Sequence, residues 1–278
     1  MPSKKELQED KLNERVVDKP KVISQDGRFI ELELPSGSRT FKVRPMLTKD
    51  ENSYTYQNKK DVMAPYRKLL GATTDISELN NIQQNDIIFM LCALRRISYG
   101  DWFKFQFECS NPNCSTKEDI EVDLADLDVL YSSEEMKQTL ISGGYFECVI
   151  PSNKKTVKYR MPVFGDFQKL ANLRKLKRHQ MRTASINLCI MEIETEAGSG
   201  NFEKVTEKMI GEFEVMDTKY IEAQMSRHSV GIVTTQEVEC IDCGADTDVE
   251  IPLEGADFLM NPSDMRMRQD GSLSTLSP

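Results

Sequence analysis

Histidine is scarce in this chain of 278 residues, which contains only His179 and His228. Histidine is the side chain that enzymes use most often for general acid or base catalysis. The sequence also lacks a Ser-His-Asp order, an HExxH helix, a Walker A loop and a GxGxxG turn, which mark several large enzyme classes. We therefore expect no enzyme activity, and we assign no catalytic or cofactor-binding residue.

Long apolar runs are also missing. No stretch reaches the about 18 consecutive apolar residues that a membrane span needs. Residues 1–21 are rich in charge and lack the apolar segment of a secretory signal. We therefore predict a protein without membrane contact that stays in a reducing cytosol. In that compartment paired cysteines favour a metal ion over a disulfide.

Positive charge is in deficit, since the net charge is −9 and the isoelectric point is about 5.0. Lys and Arg contacts to phosphate dominate the affinity of proteins for nucleic acid, so a strongly acidic chain is a poor candidate for that partner. Hydrophobic residues make up 39% of the chain, which is enough for a real core. The two ends have fewer of them, and we predict disordered tails at 1–21 and 262–278.

Two segments of the chain resemble each other at a distance of 116 positions. The residues IELELPS at 30–36 recur as FECVIPS at 146–152. The similarity continues through four identical pairs: Thr40 and Thr156, Lys42 and Lys158, Arg44 and Arg160, Asp50 and Asp166. Each segment is typical of a β-hairpin, and the aspartate that follows it is a preferred helix N-cap.

A second block of similarity lies 131 positions apart. It pairs Asp86 with Asp217, Phe89 with Tyr220, Arg96 with Arg227, Ser98 with Ser229, Gly100 with Gly231 and Cys109 with Cys240. Beyond the cysteines, DIEVDL at 119–124 matches DVEIPL at 248–253. Because the three blocks keep the same order, we interpret the chain as a diverged tandem duplication.

The duplication predicts the domain organisation and an α+β fold class. The first copy covers residues 22–143 and the second covers 144–261, with a charged tail before them and a polar tail after them. In each copy we predict a β-hairpin, then helices, then a zinc-ribbon-like cysteine knuckle between two strands. The two copies are expected to join at a single metal site with four cysteine ligands.

Four of the seven cysteines carry that metal prediction. Cys109 and Cys114 form a C-x4-C pair, and Cys240 and Cys243 form a C-x2-C pair followed by Gly244. Such spacings are typical of structural zinc sites, and four thiolates leave no open position for catalysis. We predict a structural zinc ion, although this ligand type also suits iron. The alternative is four reduced cysteines, or two separate turns, without metal.

The remaining cysteines and the second histidine have simpler interpretations. Cys92, Cys148 and Cys189 lie in apolar surroundings, so we predict that they belong to the core. His228 occupies the place that Ile97 holds in the first copy, which indicates a packing or capping residue.

A basic stretch runs from Arg174 to Arg182 in the longer second copy. On a helix, Arg174, Arg178 and Arg182 would share one face. The simplest interpretation is a solvated helix face. The alternatives are a docking surface for an acidic partner and, less favoured, for nucleic acid.

Three short motifs resemble the baseplate protein family of T4-like bacteriophages over residues 29–261. They are LRRISYG at 94–100 before a strand and a cysteine pair, FKVRPM at 41–46, and ADF at 256–258. The resemblance implies a subunit or assembly factor of the baseplate hub, with the two cysteine pairs as zinc ligands. It also implies other baseplate or tail proteins as partners, and a place in the virion tail or in the host cytoplasm during assembly. A homo-oligomer is possible as well.

The main alternative is a zinc-ribbon protein that binds nucleic acid. Aromatic residues and Lys104 lie beside the first knuckle, where bases could stack: Trp102, Phe103, Phe105 and Phe107. However, the three phenylalanines share one strand face, which is the normal pattern of a core. The second knuckle is flanked by acidic residues, which would repel phosphate.

Overall fold

The computed structural model describes residues 15–54, 61, 63–142, 144–171, 178–253, 255 and 258–259. The strands are β1 (Arg15–Asp18), β2 (Val22–Asp26), β3 (Phe29–Glu33), β4 (Thr40–Val43), β5 (Trp102–Glu108), β6 (Lys117–Asp123), β7 (Val129–Ser132), β8 (Phe146–Val149), β9 (Thr156–Tyr159), β10 (Ile190–Glu194), β11 (Phe202–Lys204), β12 (Gly231–Ile232), β13 (Thr235–Glu239) and β14 (Asp246–Glu250). The helices are α1 (Thr48–Tyr54), α2 (Ala64–Thr73), α3 (Gln84–Tyr99), α4 (Glu134–Ile141), α5 (Phe164–Ala171), α6 (Arg178–Cys189), α7 (Glu207–Gly211) and α8 (Val215–Arg227), with a short 3-10 helix at Leu79–Asn81.

The strands form small antiparallel sheets. Their strand orders are β1-β7-β12, β2-β3-β4, β11-β10-β9-β8, β5-β6 and β13-β14. The predicted mixture of helices and small sheets is therefore confirmed. Within the described part of the chain, no helix is long and apolar enough to cross a membrane.

Both hairpins predicted from the repeated segments form. In the first, Ile30 pairs with Val43 and Leu32 pairs with Phe41. In the second, residues 146–149 pair with residues 156–159 in the corresponding register. Side chains alternate along a strand, so every second residue faces inward and is buried, and Phe29 and Val149, which have the opposite parity, are exposed although they are apolar. The buried residues are Ile30, Leu32, Phe41, Val43, Phe146, Cys148, Val157 and Tyr159.

An arginine–aspartate pair joins the first hairpin to the helices that follow it. Arg44 Nη1 donates to Asp50 Oδ2 at 2.7 Å, and Arg44 Nη2 donates to the carbonyl of Ala72 at 2.6 Å. Asp50 is the third residue of α1 and not its predicted N-cap, and the same Asp50 oxygen reaches back to accept the N–H of Leu47 at 2.8 Å, as in a capping box. One ion pair thus holds β4, α1 and α2 together.

The second hairpin has the same arrangement 116 positions later. Arg160 Nη1 donates to Asp166 Oδ2 at 2.7 Å, and Arg160 Nη2 donates to the carbonyl of Leu188 at 3.1 Å. Asp166 Oδ2 accepts the N–H of Val163 at 3.0 Å. The matched arginines and aspartates of the sequence therefore make matched contacts.

A buried aspartate tethers each hairpin turn to a later helix. Asp86 Oδ1 accepts the N–H of Ser36 at 3.0 Å, and Asp217 Oδ1 accepts the N–H of Ser152 at 3.0 Å. Burial raises the pKa of Asp86 to about 6, although hydrogen bonds from Ser36 oppose the shift. The two tethers connect residues that the sequence comparison had already paired.

The described residues form two hydrophobic cores. The first surrounds α3, whose Phe89, Met90 and Leu94 are almost fully buried. The second lies between the β8–β9 hairpin and α8 and includes Tyr159 and Ile221. Residues from the end of the second half also pack into the first core: Ile232, Ile251, Leu253, Phe258 and Leu259. The two halves are therefore interlocked.

The N-terminal segment differs from its prediction. Instead of a disordered tail through residue 21, residues 15–18 form β1, which pairs with β7. The backbone N–H of Lys21 donates to the Tyr131 hydroxyl at 2.9 Å, which holds the segment further. The charged composition of this segment gave no sign of a strand, because the strand is stabilised by pairing with residues more than a hundred positions away. Residues 1–14 and the predicted tail at 262–278 lie outside the described residues.

The basic stretch cannot be compared with its prediction. Residues 172–177 lie outside the described part of the chain. The backbone from Arg178 onward continues as α6, and the side chains of the stretch lie outside the description.

Gly231 brings β12 against the start of α3. Asn85 Nδ2 donates to Ser229 Oγ at 2.8 Å and to the carbonyl of Val230 at 2.7 Å, so the two segments are in direct contact. The φ angle of Gly231 is +122°, and a Cβ atom at this position would lie 2.8 Å from Asn85 Cβ. Only glycine fits this backbone conformation and this spacing.

We expect Gly231→Ala to lower the free energy of unfolding by about 2 kcal/mol, because it combines backbone strain with overpacking. Urea denaturation measures the loss. Gly71→Ala is the matched control, since Gly71 lies in α2 with open space around it. That variant should gain about 0.5–1 kcal/mol from helix propensity. An unchanged urea midpoint for Gly231→Ala would show that β12 does not depend on this contact.

Candidate metal centre

Two hairpins carry the four predicted ligands in their turns. In the first, Glu108 pairs with Lys117, so residues 109–116 form the turn between β5 and β6. In the second, Glu239 pairs with Asp246, so residues 240–245 form the turn between β13 and β14. The predicted position of each cysteine pair between two strands is thus confirmed.

The longer first turn closes on itself in spite of its two extra residues. The N–H of Cys109 donates to the carbonyl of Thr116 at 3.0 Å, and the N–H of Cys114 donates to the carbonyl of Asn111 at 2.9 Å. The Asn111 side chain accepts the N–H of Asn113 at 3.0 Å, as asparagine often does in turns. These bonds bring Cys114 back towards Cys109.

The second turn is tighter. The N–H of Cys240 donates to the carbonyl of Ala245 at 3.0 Å, and the N–H of Gly244 donates to the carbonyl of Cys240 at 2.8 Å. Gly244 has a φ of +65°, in the left-handed region that glycine adopts without strain. The glycine after the pair therefore allows the chain to turn back towards β14.

The four sulfur atoms meet. All of them lie within 4.8 Å of one another. Cys109 Sγ is 3.7 Å from Cys243 Sγ, and Cys114 Sγ is 3.9 Å from Cys240 Sγ. Four thiolates at a zinc–sulfur distance of about 2.3 Å in a tetrahedron stand about 3.8 Å apart. These separations fit a tetrahedral metal ion, and they are far longer than the about 2.05 Å of a disulfide.

The site lies at the surface but is not fully open. Cys109 and Cys240 are buried, Cys114 is half-buried and Cys243 is exposed. Hydrogen bonds with the Thr116 side chain and backbone lower the pKa of Cys114 to about 7, whereas burial and contacts with the other three thiols raise the pKa of Cys109 to about 11. The thiolate is the form that binds metal, so Cys114 loses its proton for ligation more readily than Cys109 does.

Polar contacts between the two turns surround the sulfurs. Asn111 Nδ2 donates to Cys243 Sγ at 3.6 Å, and Ser110 Oγ lies 3.0 Å from Thr247 Oγ1. The Thr116 hydroxyl also donates a hydrogen bond to the Asp242 carboxylate. Such contacts orient the ligands of metal sites. These contacts were not predicted from the sequence, although the polar residues Ser110 and Asn111 between the two cysteines of the C-x4-C pair could have indicated them.

The other cysteines are core residues, as predicted. Cys92, Cys148 and Cys189 are all buried. Burial raises the pKa of Cys92 and Cys148 to about 11 and that of Cys189 to about 12. They are therefore neutral thiols in apolar surroundings, unlike the four clustered cysteines that could bind a metal.

The interpretation of His228 as a packing and capping residue is also confirmed. Its ring stacks on Phe146 with 4.2 Å between the centroids, and its Nδ1 lies 2.8 Å from the Tyr159 hydroxyl. Its backbone N–H caps the carboxyl end of α8.

The three phenylalanines beside the first knuckle face inward. Phe103 and Phe107 are buried, and Phe105 stacks on Phe103 with 5.6 Å between the centroids. Phe258 meets Phe103 edge to face at 5.0 Å. These rings belong to the core, as the shared parity of the phenylalanines predicted.

Comparison with known proteins identifies the family. The sequence profile of the family described as T4 bacteriophage base plate protein matches residues 28–259. No curated protein and no solved structure is significantly similar. The profile covers both hairpins, both interlocked cores and both cysteine turns, which is most of the chain. The predicted family is therefore confirmed, and the chain belongs to the T4 bacteriophage base plate protein family.

Proposed function

We propose that the chain is a structural or assembly component of the baseplate hub in a contractile phage tail. The family match over residues 28–259 carries the baseplate role, and it supports contacts with other baseplate proteins in the virion tail. The interlocked halves and the closed cysteine cluster suit a rigid part of an assembly. We also propose that the protein is not an enzyme.

We propose further that a zinc ion bound by Cys109, Cys114, Cys240 and Cys243 stabilises this component. The sulfur separations support a tetrahedral four-thiolate site. Such a site has no open position for water or substrate, so the ion would act only as a cross-link between the two turns. Binding of this kind supplies on the order of 10 kcal/mol of folding free energy.

The recurrent contacts support an origin by tandem duplication. The arginine–aspartate pairs recur at the offset of 116 positions that the sequence shows. The aspartate tethers and the cysteine turns recur as well. In this view each copy contributes one cysteine pair, and the zinc ion joins the copies.

A nonsense allele in the phage tests the baseplate role. Under non-permissive conditions we expect heads to form while complete baseplates are absent from electron micrographs, and a plasmid-borne wild-type copy should restore them. A tagged protein located in assembling baseplates by cryo-electron microscopy should lie near the tail axis. Normal tails without the protein would contradict the baseplate role, and a peripheral location would contradict the hub position alone.

A further inference from the structure

The four clustered cysteines differ in how far a small oxidant can reach them. Cys243 is exposed, Cys114 is half-buried, and Cys109 and Cys240 are buried. A bound metal ion holds all four as thiolates, so accessibility decides which sulfur a peroxide oxidises first. Oxidation of the cluster therefore begins at Cys243, in the second turn.

The exposed Cys243 sulfur has a partner on the other turn. Its Sγ lies 3.7 Å from Cys109 Sγ, and Asn111 Nδ2 donates to it at 3.6 Å. A sulfenic acid at Cys243 therefore forms beside a second sulfur. The other two sulfurs also approach each other from opposite turns, since Cys114 Sγ lies 3.9 Å from Cys240 Sγ.

Four cysteines can pair in three ways. One pattern joins each turn to itself, Cys109 with Cys114 and Cys240 with Cys243. The other two patterns join the turns to each other, and pairing Cys109 with Cys243 and Cys114 with Cys240 matches both of the observed approaches. The first disulfide also fixes the second, because it leaves a single pair of thiolates.

Contacts that do not involve a metal ion hold the two turns together. Ser110 Oγ lies 3.0 Å from Thr247 Oγ1, and the Thr116 hydroxyl donates to the Asp242 carboxylate. Each of these contacts joins a residue of the first turn to the second hairpin. They keep the two turns aligned when the ion leaves.

The bases of both hairpins are also fixed without the metal. Phe103 of β5 and Ile251, which follows β14, are buried in the first core. Loss of the ion lets the ends of the hairpins open, as two-stranded sheets do without support. Because the bases stay in place, the sulfurs of the two turns meet again whenever the hairpins close.

We propose that oxidation with loss of the metal ion converts the cluster into two disulfides between the turns, Cys109 with Cys243 and Cys114 with Cys240. The Cys243 thiolate attacks one oxygen of hydrogen peroxide, the O–O bond breaks and hydroxide leaves, which gives a sulfenic acid. The Cys109 thiolate then attacks that sulfur, the S–O bond breaks and a second hydroxide leaves. Two electrons have passed from the sulfurs to the peroxide. A second peroxide oxidises Cys114 and Cys240 in the same way.

The inference rests on the proposed zinc site and on the proposed place in the virion tail. The host cytosol keeps thiols reduced, whereas a released virion meets an oxidising medium. Disulfides between the turns keep the two hairpins joined there after the ion is lost. Disulfides within each turn would instead let the hairpins separate.

Disulfide mapping of the oxidised protein tests the proposal. Metal-loaded wild-type protein is treated with hydrogen peroxide and a zinc-binding dye, its free thiols are alkylated, and its peptides are analysed by mass spectrometry without reduction. Fragmentation between Cys109 and Cys114, and between Cys240 and Cys243, assigns each bond. Random pairing gives each pattern in about one third of the chains, whereas the proposed pattern should exceed about two thirds.

Two variants with a single cysteine pair provide the matched comparison. Cys114→Ser, Cys240→Ser keeps Cys109 and Cys243, and Cys109→Ser, Cys114→Ser keeps the pair of the second turn. The first variant should form its disulfide severalfold faster when circular dichroism shows that both are folded. Wild-type protein is folded when the peroxide is added, so its mapping decides the question if the variants do not fold.

Measuring zinc before the oxidation separates the two proposals. A wild-type protein without metal would refute the zinc proposal, and its cysteines would still report the pairing pattern. Disulfides within each turn, an even mixture of the three patterns, or sulfinic acids without disulfides would overturn this inference and leave the zinc proposal standing.

Discussion

The double variant Cys240→Ser, Cys243→Ser is expected to lose all bound metal although Cys109 and Cys114 remain. The sulfurs of the two pairs interleave, since Cys109 approaches Cys243 and Cys114 approaches Cys240. Two thiolates on one turn form only half of a tetrahedral shell. Native mass spectra should show a single zinc ion on the wild-type chain and none on the variant.

This double variant should lose more free energy of unfolding than any other variant proposed for this protein. A structural zinc site supplies on the order of 10 kcal/mol, which is comparable to the whole free energy of unfolding of an ordinary domain. The β5–β6 and β13–β14 sheets each have only two strands. Such hairpins are marginal without further support, so both should lose protection from amide exchange.

Cys148→Ala is the matched control for the metal experiment. Cys148 is buried in the second core and is not one of the clustered sulfurs. This variant should keep the zinc ion. Elemental analysis distinguishes zinc from iron. A wild-type protein that carries no metal in reducing buffer, without prior chelation, would refute the zinc proposal and leave the family assignment standing.

Asp50→Ala is expected to lower the free energy of unfolding by about 3 kcal/mol, because it leaves the Arg44 guanidinium without its partner. The side chains of Asp50 and Arg44 are only 4% and 18% exposed, so water compensates little. The variant also removes the acceptor of the Leu47 N–H. Urea denaturation at pH 7 measures the loss.

The second half supplies a matched pair of variants. Asp166→Ala should give a loss near that of Asp50→Ala, since Asp166 has the same contacts and its side chain is 5% exposed. Lys169→Ala is the control, because Lys169 lies 3.5 Å from Asp166 but is 64% exposed. Exposed pairs contribute little, so the control should stay within about 0.5 kcal/mol of wild type. Equal losses in all three variants would refute the buried-pair argument.

The ion pair between Arg44 and Asp50 also predicts how the stability of the protein depends on pH. The Arg44 hydrogen bond holds the pKa of Asp50 below its usual value of 3.8. A carboxyl group with a lowered folded-state pKa contributes stability above pH about 4 and loses it as the pH falls through that pKa. Wild type should therefore lose more stability than Asp50→Ala below pH about 4. Parallel curves for the two proteins would exclude a contribution from this carboxylate.

Local patterns in the sequence predicted much of the candidate site. The spacing of each cysteine pair and the alternation of the flanking strands indicated two hairpin turns, and both turns form. The repeated blocks indicated that the turns could meet, and the sulfurs of Cys109 and Cys243 do so. The contacts of Ser110 and Asn111 were not predicted, because they depend on how the two turns face each other.

The sequence by itself determined the hairpins, the helices that follow them, the cysteine turns, the burial of Cys92, Cys148 and Cys189, and the packing role of His228. Those features depend on periodicity, turn residues and local capping, which are visible within a few residues. Only the tertiary structure decided that β1 pairs with β7, that β12 lies against α3 and that Val215 and Met216 of α8 remain exposed. Each of these depends on partners that lie far away in the chain. A charged segment can become a strand, and an apolar helix face can remain exposed, according to whether such a partner reaches it.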